Sequence, residues 1–200
     1  LYASTFDPQW LEEASTLMEA LIDDFWDPNG TGVFNAASDQ NDVPVRQKDG
    51  YDGAMPSANA VTWYALLRLG RLTGNRELLN RAVEMGQVLA GPIDRNPSAH
   101  TMSLVALDLA LGPTHEVVVV GDARSEDTQA LLNALQTEYR PRIATLFKEV
   151  GDEAGDRLAE LAPFSAGHSL IDGRAAAYVC SDFACQRPTQ DSSEMLALLG

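Results

Sequence analysis

Residues 48–61 read Lys48-Asp49-Gly50-Tyr51-Asp52-Gly53-Ala54-Met55-Pro56-Ser57-Ala58-Asn59-Ala60-Val61. The first half of this stretch is incompatible with regular structure. Gly50 and Gly53 flank Tyr51 and Asp52 with residues that tolerate positive φ, and Pro56 disfavours a helical conformation at Met55. The second half starts a helix. Ser57 is placed to cap it, and Ala60, Val61, Trp63, Tyr64, Leu66, Leu67 and Leu69 make it apolar around most of its circumference. A polar loop is therefore displayed where a deeply buried helix begins, an arrangement on which binding sites are often built. The alternative is that Tyr51 and Asp52 only tie down a turn.

Outward from this point, Asp7-Pro8 predicts a helix start, and Trp10, Ala14, Leu17, Leu21 and Phe25 continue it at helical spacing to Phe25. The connection 26–56 is too long for a plain helical hairpin loop and reads as functional. Beyond the central helix, Thr73-Gly74-Asn75 ends one helix and caps the next, whose Leu78, Ala82, Met85 and Leu89 form a one-sided stripe. Asn96-Pro97 opens a further helix, Ser98 to Leu111, with little polar surface. Alternating apolar and amphipathic helices predict a mainly α fold: part of an (α/α) toroid of helical hairpins over residues 1–112, with inner and outer helices in turn.

From Pro113 the pattern changes. The run Glu116-Val117-Val118-Val119-Val120-Gly121-Asp122 predicts a strand, followed by a helix through Leu131, Leu132 and Leu135. Arg142–Phe147 and Ala175–Cys180 read as further strands around a short acidic helix, Glu153–Leu161. Residues 113–200 are thus expected to form a small α/β unit with parallel pairing and a terminal helix. The Val120-Gly121-Asp122 turn lacks the remaining glycines of a dinucleotide fingerprint. No cofactor is called for.

Two hundred residues at 45% apolar content suffice for a real core. No apolar run reaches the ~20 residues of a membrane span, and there is no basic, then apolar, leader. The chain reads as cytoplasmic, although a removed signal would leave no trace. It begins at Leu1 without an initiator methionine and is expected to be a fragment. The net charge of −15 leaves no basic stripe for nucleic acid. Lys48 and Lys148 are the only lysines among 14 basic residues. An acidic surface almost without lysine points to a halophilic protein, with an ordinary acidic protein as the alternative. Cys180 and Cys185 read as reduced structural thiols, as a disulfide, or as a thiol-exchange pair. With His100, His115 and His168 at no ligand spacing to them, no metal site is expected.

The order of motifs Phe25-Trp26-Asp27, Val45-Arg46-Gln47-Lys48-Asp49-Gly50-Tyr51-Asp52-Gly53-Ala54-Met55-Pro56-Ser57-Ala58-Asn59, Glu116 to Asp122, and Ala177-Tyr178-Val179-Cys180 with Cys185 and Pro188 resembles the carboxy-terminal part of the spermatogenesis-associated, thioredoxin-domain-containing (YyaL-type) family. That resemblance implies an amino-terminal thioredoxin-like domain, absent here, followed by a six-hairpin glycosidase-like barrel, akin to sugar 2-epimerases, of which much is also absent. A sugar site needs carboxylates for acid/base work, stacking faces and hydroxyl partners. Asp52 and Asp49 are the candidate catalytic carboxylates of a hydrolase or epimerase. Tyr51, Arg46, Lys48, Asn59 and Trp26 are the candidate carbohydrate-binding residues. Epimerases of the related kind would use histidines, none of which falls in this loop. The other expectation is a non-catalytic scaffold or interaction module for the thioredoxin-like redox domain.

The charge generates a first prediction. With 29 carboxylates on the chain, repulsion opposes the compact state at low ionic strength, and screening near 1 M salt, where the Debye length is ~3 Å, relieves it. The melting temperature should rise as KCl is raised from millimolar to multimolar, and a flat or falling profile removes the salt-adaptation reading.

Overall fold

The computed structural model describes residues 1–40 and 42–200; position 41, in the long loop, lies outside the described residues. The chain divides into two compact units. One, mostly helical, comprises Glu13–Gly70 and Asn75–Gly112; the other, built on a sheet, comprises Leu1–Glu12, Arg71–Gly74 and Pro113–Gly200.

Helices α1 (Tyr2–Thr5), α2 (Pro8–Phe25), α3 (Ala58–Thr73), α4 (Arg76–Arg95) and α5 (Thr101–Leu111) precede the first strand. The expected signals act locally. The Asp7 carboxylate accepts the Gln9 amide at 3.0 Å where α2 starts, and Asn75 accepts the amides of Glu77 and Leu78 where α4 starts. Ser57 Oγ accepts the Ala60 amide at 3.2 Å and caps α3. Within the helical unit α3 buries Ala60, Trp63, Leu66, Leu67 and Leu69, and α4 buries Leu78, Ala82, Met85, Leu89 and Ile93. Their approach is close because Gly86 faces Trp63: a Cβ there would lie 2.9 Å from the indole ring.

In the sheet unit, β1 (His115–Gly121), β2 (Ile143–Glu149), β3 (Ala176–Ser181) and β4 (Ala184–Cys185) form one sheet in the order β2-β1-β3-β4. β1 pairs parallel with β2 and antiparallel with β3. The crossover through α6 (Glu126–Gln136) gives the parallel pair. Val117, Val119 and Val179 on one face pack with Leu131, Leu132 and Leu135 of α6 and with Met195 of α8 (Ser192–Ala197). Val118 and Val120, which point the other way, are equally buried, as a central strand covered on both faces requires. Helix α7 (Glu153–Leu161) starts against the end of β2. Beside β2 the buried Tyr2 hydroxyl accepts the Phe147 amide, and burial pushes its pKa well above the usual tyrosine range.

Two parts of the expected architecture are corrected. The chain is an α/β protein with a four-stranded mixed sheet, not a mainly α (α/α) six-hairpin toroid, and no ring of hairpins is indicated among the described residues. The alternation of helix types treated apolar composition as burial. In α5 only Ser103, Ala106 and Leu109 are buried, while Val105 is 50% and Leu111 76% exposed, so this is not an inner helix enclosed on both sides. Pairing in the sheet is also not purely parallel, because β3 runs back along β1.

Charge falls where hydration favours it at Glu19, Asp23, Glu77 and Glu84, which are exposed. Glu12 is half-buried and ion-paired with Arg157. Glu116 is an exception: fully buried, it accepts from Arg71 at 2.9 Å and from the Phe183 amide at 3.1 Å. Phe183 and Asp182 form the two-residue turn of the β3–β4 hairpin, both at positive φ.

Gly155, in the first turn of α7, supplies the test of this packing. A Cβ there would lie 1.8 Å from the Glu149 carbonyl oxygen, a backbone atom that cannot swing aside. Gly155→Ala is expected to destabilise the fold by about 1–3 kcal/mol through overpacking, read by denaturant unfolding. An unchanged midpoint would show that α7 is not seated on β2 in this way.

Candidate functional site

The loop 26–56 is held to the helical unit by its own polar side chains. Asn59, in the first turn of α3, behaves like a strand partner: its Oδ1 accepts the Val33 amide at 2.8 Å, and its Nδ2 donates to the Val33 and Asp49 carbonyls, each at 2.9 Å. Gly32 must be glycine at this point, since it has φ +95 and a Cβ would stand 2.4 Å from Asn59 Oδ1. Lys48 Nζ donates to Asp27 Oδ2 and to the Thr31 carbonyl at 2.9 Å, and lies 4.9 Å from the Phe34 ring centre. The Lys48 bond, with the Asn29 amide, holds the Asp27 carboxyl below the usual carboxylate range. Arg46 donates to the carbonyls of Ala36 and Asp24, with its guanidinium over Phe34.

Asp52 is placed differently from its neighbours, being only 6% exposed. Its Oδ1 accepts the Ser57 amide at 2.8 Å, and its Oδ2 accepts the amides of Met102 and Ser103 at 2.9 and 3.0 Å. Its own amide donates to the Ala99 carbonyl. One carboxylate thus caps the entry to α3 and the N-terminal turn of α5 together. Burial by itself would raise its pKa, but the bonds from Ser57, Ser103 and Met102 outweigh that and hold it below the ordinary value. A carboxylate kept ionised with its oxygens occupied is poorly suited to carrying protons at neutral pH.

The remaining candidates separate. Asp49 Oδ1 accepts the Tyr51 amide at 2.9 Å, and Tyr51 is 61% exposed. Trp26 carries the Arg81 guanidinium 4.9 Å from its ring centre and bridges to Val33. A cavity of about 200 Å³ is lined by Lys48, Asp49 and Asn59 on its polar edge and by Met85, Val88 and Leu89 on its apolar floor. Tyr51, Asp52, Arg46 and Trp26 do not line it.

In the sheet unit, Cys180 and Cys185 are joined in a disulfide between directly paired residues of β3 and β4. The structure also brings in His168, which spacing did not connect to them: its Nε2 lies 3.6 Å from Cys185 Sγ. Two side chains fix that imidazole. Tyr178 stacks on it with ring centres 4.1 Å apart, the Tyr178 hydroxyl holds the backbone of Ser169, and Lys148 Nζ donates to the carbonyls of Ser165, Ala166 and His168. Burial, and then the Lys148 charge, lower the His168 pKa.

A helical unit with a latched loop and a mixed sheet with a cystine hairpin define an α/β segment, to which no family model matches. Over all 200 residues the chain is 32% identical to spermatogenesis-associated protein 20 of Mus musculus and, equally, to that of Homo sapiens. An uncharacterised protein of Caenorhabditis elegans is 26% identical over 196 residues. The chain spans 25% of the length of the mammalian relatives, and the similarity supports the spermatogenesis-associated part of the motif resemblance. Among the described residues, no helix is long and apolar enough to cross a membrane.

Asp52→Ala should cost about 2 kcal/mol, since it uncaps two helix starts at about 1 kcal/mol each. The depressed pKa sets the sign with pH. The stabilisation from Asp52 is fully present above the unfolded carboxyl value near 4 and is lost as pH falls through the lower folded value. Wild type and Asp52→Ala should therefore converge in stability on acidification below about pH 4, measured by denaturant titration at each pH. A gap that persists there would remove the charged-cap account.

Proposed function

We propose that this chain is a piece of a longer protein of the spermatogenesis-associated family and that it acts there as a scaffold or interaction module, with a thioredoxin-like redox domain of the whole protein as its partner. The loop cluster is a structural latch in this reading and is not catalytic. The observation that carries it is the use of Asp52, Asn59, Lys48 and Arg46, whose hydrogen bonds go to backbone, to Asp27 or to the Ser103 hydroxyl within the same unit. The test uses the intact protein. Asp52→Asn should lower its melting temperature and leave disulfide-reducing turnover unchanged, whereas a loss of turnover at unchanged melting temperature overturns the reading.

A second reading, a carbohydrate-binding enzyme of hydrolase or epimerase type, is favoured by the cavity beside Lys48, Asp49 and Asn59. Its volume falls below the ~300–1,000 Å³ common for ligand pockets, so it would take a monosaccharide unit or the end of a longer sugar. Calorimetric titration of the intact protein with mono- and disaccharides separates the two. Heat that Lys48→Met abolishes supports the sugar site, and the absence of heat with a folded protein removes it.

A further inference from the structure

The Cys180–Cys185 disulfide closes a loop of sequence separation 5, so it removes little conformational freedom from the unfolded chain. The hairpin is already held without it. Ser181 pairs with Ala184, the Gln186 amide donates to Val179, Glu116 accepts the Phe183 amide, and Arg71 meets Asp182 at 2.7 Å. The bond can therefore open and close with the fold intact. Its sulfurs are unequal: Cys180 is buried at 1% exposure, while Cys185 is exposed on a two-residue strand at the edge of the sheet. An attacking thiolate can reach Cys185 and not Cys180. Next to the reachable sulfur stands an imidazole fixed by Tyr178 and Lys148, with Nε2 toward Cys185 and a buried Nδ1 lacking a partner among the described residues.

We infer that Cys180, Cys185 and His168 form a thiol–disulfide exchange centre that takes electrons from a dithiol, with Cys185 as the attacked sulfur and His168 as the base beside it. The inference stands on residues of the sheet unit and does not rest on the loop latch.

In the exchange, one thiol of the dithiol passes its proton through His168 Nε2 to water and attacks Cys185 Sγ as the thiolate. The Cys180–Cys185 bond breaks, and its electron pair leaves with Cys180 Sγ, which takes a proton from water. The second thiol of the dithiol gives its proton to His168 Nε2 and attacks the reductant's own sulfur in the mixed disulfide. Cys185 leaves as a thiolate and recovers that proton from His168. Two electrons and two protons pass to the cysteine pair, and the dithiol becomes a disulfide. The lowered pKa of His168 keeps the imidazole neutral at pH 7, the form that accepts the proton.

The experiment equilibrates the intact protein under native conditions in buffers of reduced and oxidised dithiothreitol, quenches with acid, alkylates, and maps the peptide carrying both cysteines by mass spectrometry. The pair should open with the circular dichroism spectrum unchanged, and in a parallel reaction with reduced glutathione in place of dithiothreitol the trapped glutathione adduct should sit on Cys185. His168→Gln should slow opening about tenfold at pH 7, equivalent to one pKa unit at the reacting thiol, and added imidazole should restore much of the rate in His168→Gly. Opening only in denaturant, an adduct on Cys180, or an unchanged rate in His168→Gln would each overturn the proposal. So would micromolar zinc shielding the reduced pair from alkylation, which would make the cluster a metal site.

Discussion

The helical unit depends on one buried negative charge. Helix starts leave amides without partners, and the starts of α3 and α5 share a single acceptor group in Asp52. This couples segments that are fifty residues apart in the chain. A neutral side chain at position 52 could cap one helix, but only an ionised carboxylate presents two acceptor oxygens with enough charge to offset its own burial. The loop from Trp26 to Pro56 can then be long without being loose. Asn59 supplies a false strand edge for Val33, and Lys48 closes the turn at Asp27.

The sheet unit solves a similar problem with opposite charges. Glu116 lies fully buried in the central strand and is tolerable there only because Arg71 and the Phe183 amide meet it. The same carboxylate ties the tip of the β3–β4 hairpin to β1. Across both units, the buried carboxylates are organisers of backbone amides, whereas Glu12 is half-buried and Glu19, Asp23, Glu77 and Glu84 are exposed. An acidic composition therefore combines two populations with different physical roles.

Local signals were legible where both partners lie within a few residues. Asp7-Pro8, Ser57 and Asn75 start their helices as read, and the valine run from Val117 to Val120 is a strand. Legibility failed where the deciding partner is remote. The candidate role of Asp52 as an acid/base group came from its loop neighbours, while Met102 and Ser103, which occupy it, lie far along the chain. His168 carried no readable link to the cysteines, because the link is made by a stacked Tyr178 and a lysine that clamps three carbonyls. The toroid failed for a different reason. Apolar residues such as Val105 and Leu111 are exposed, and sequence periodicity reports composition, not burial.

The turn at Asp182 and Phe183 shows where conformational information resides. Two successive residues with left-handed backbone are normally asparagine or aspartate followed by glycine; Asp182 fits the first position, but Phe183 stands where glycine is usual. Phe183 argues against the turn that it makes. The turn is imposed from outside, by Glu116 on the Phe183 amide, by Arg71 on Asp182, and by Phe164 packed edge-on against the Phe183 ring. A peptide of this hairpin alone would lack those three outside contacts to the turn. The register that sets Cys180 opposite Cys185 in the folded chain is thus held from outside the hairpin, by Glu116 and Arg71 as well as by the short span between the two cysteines.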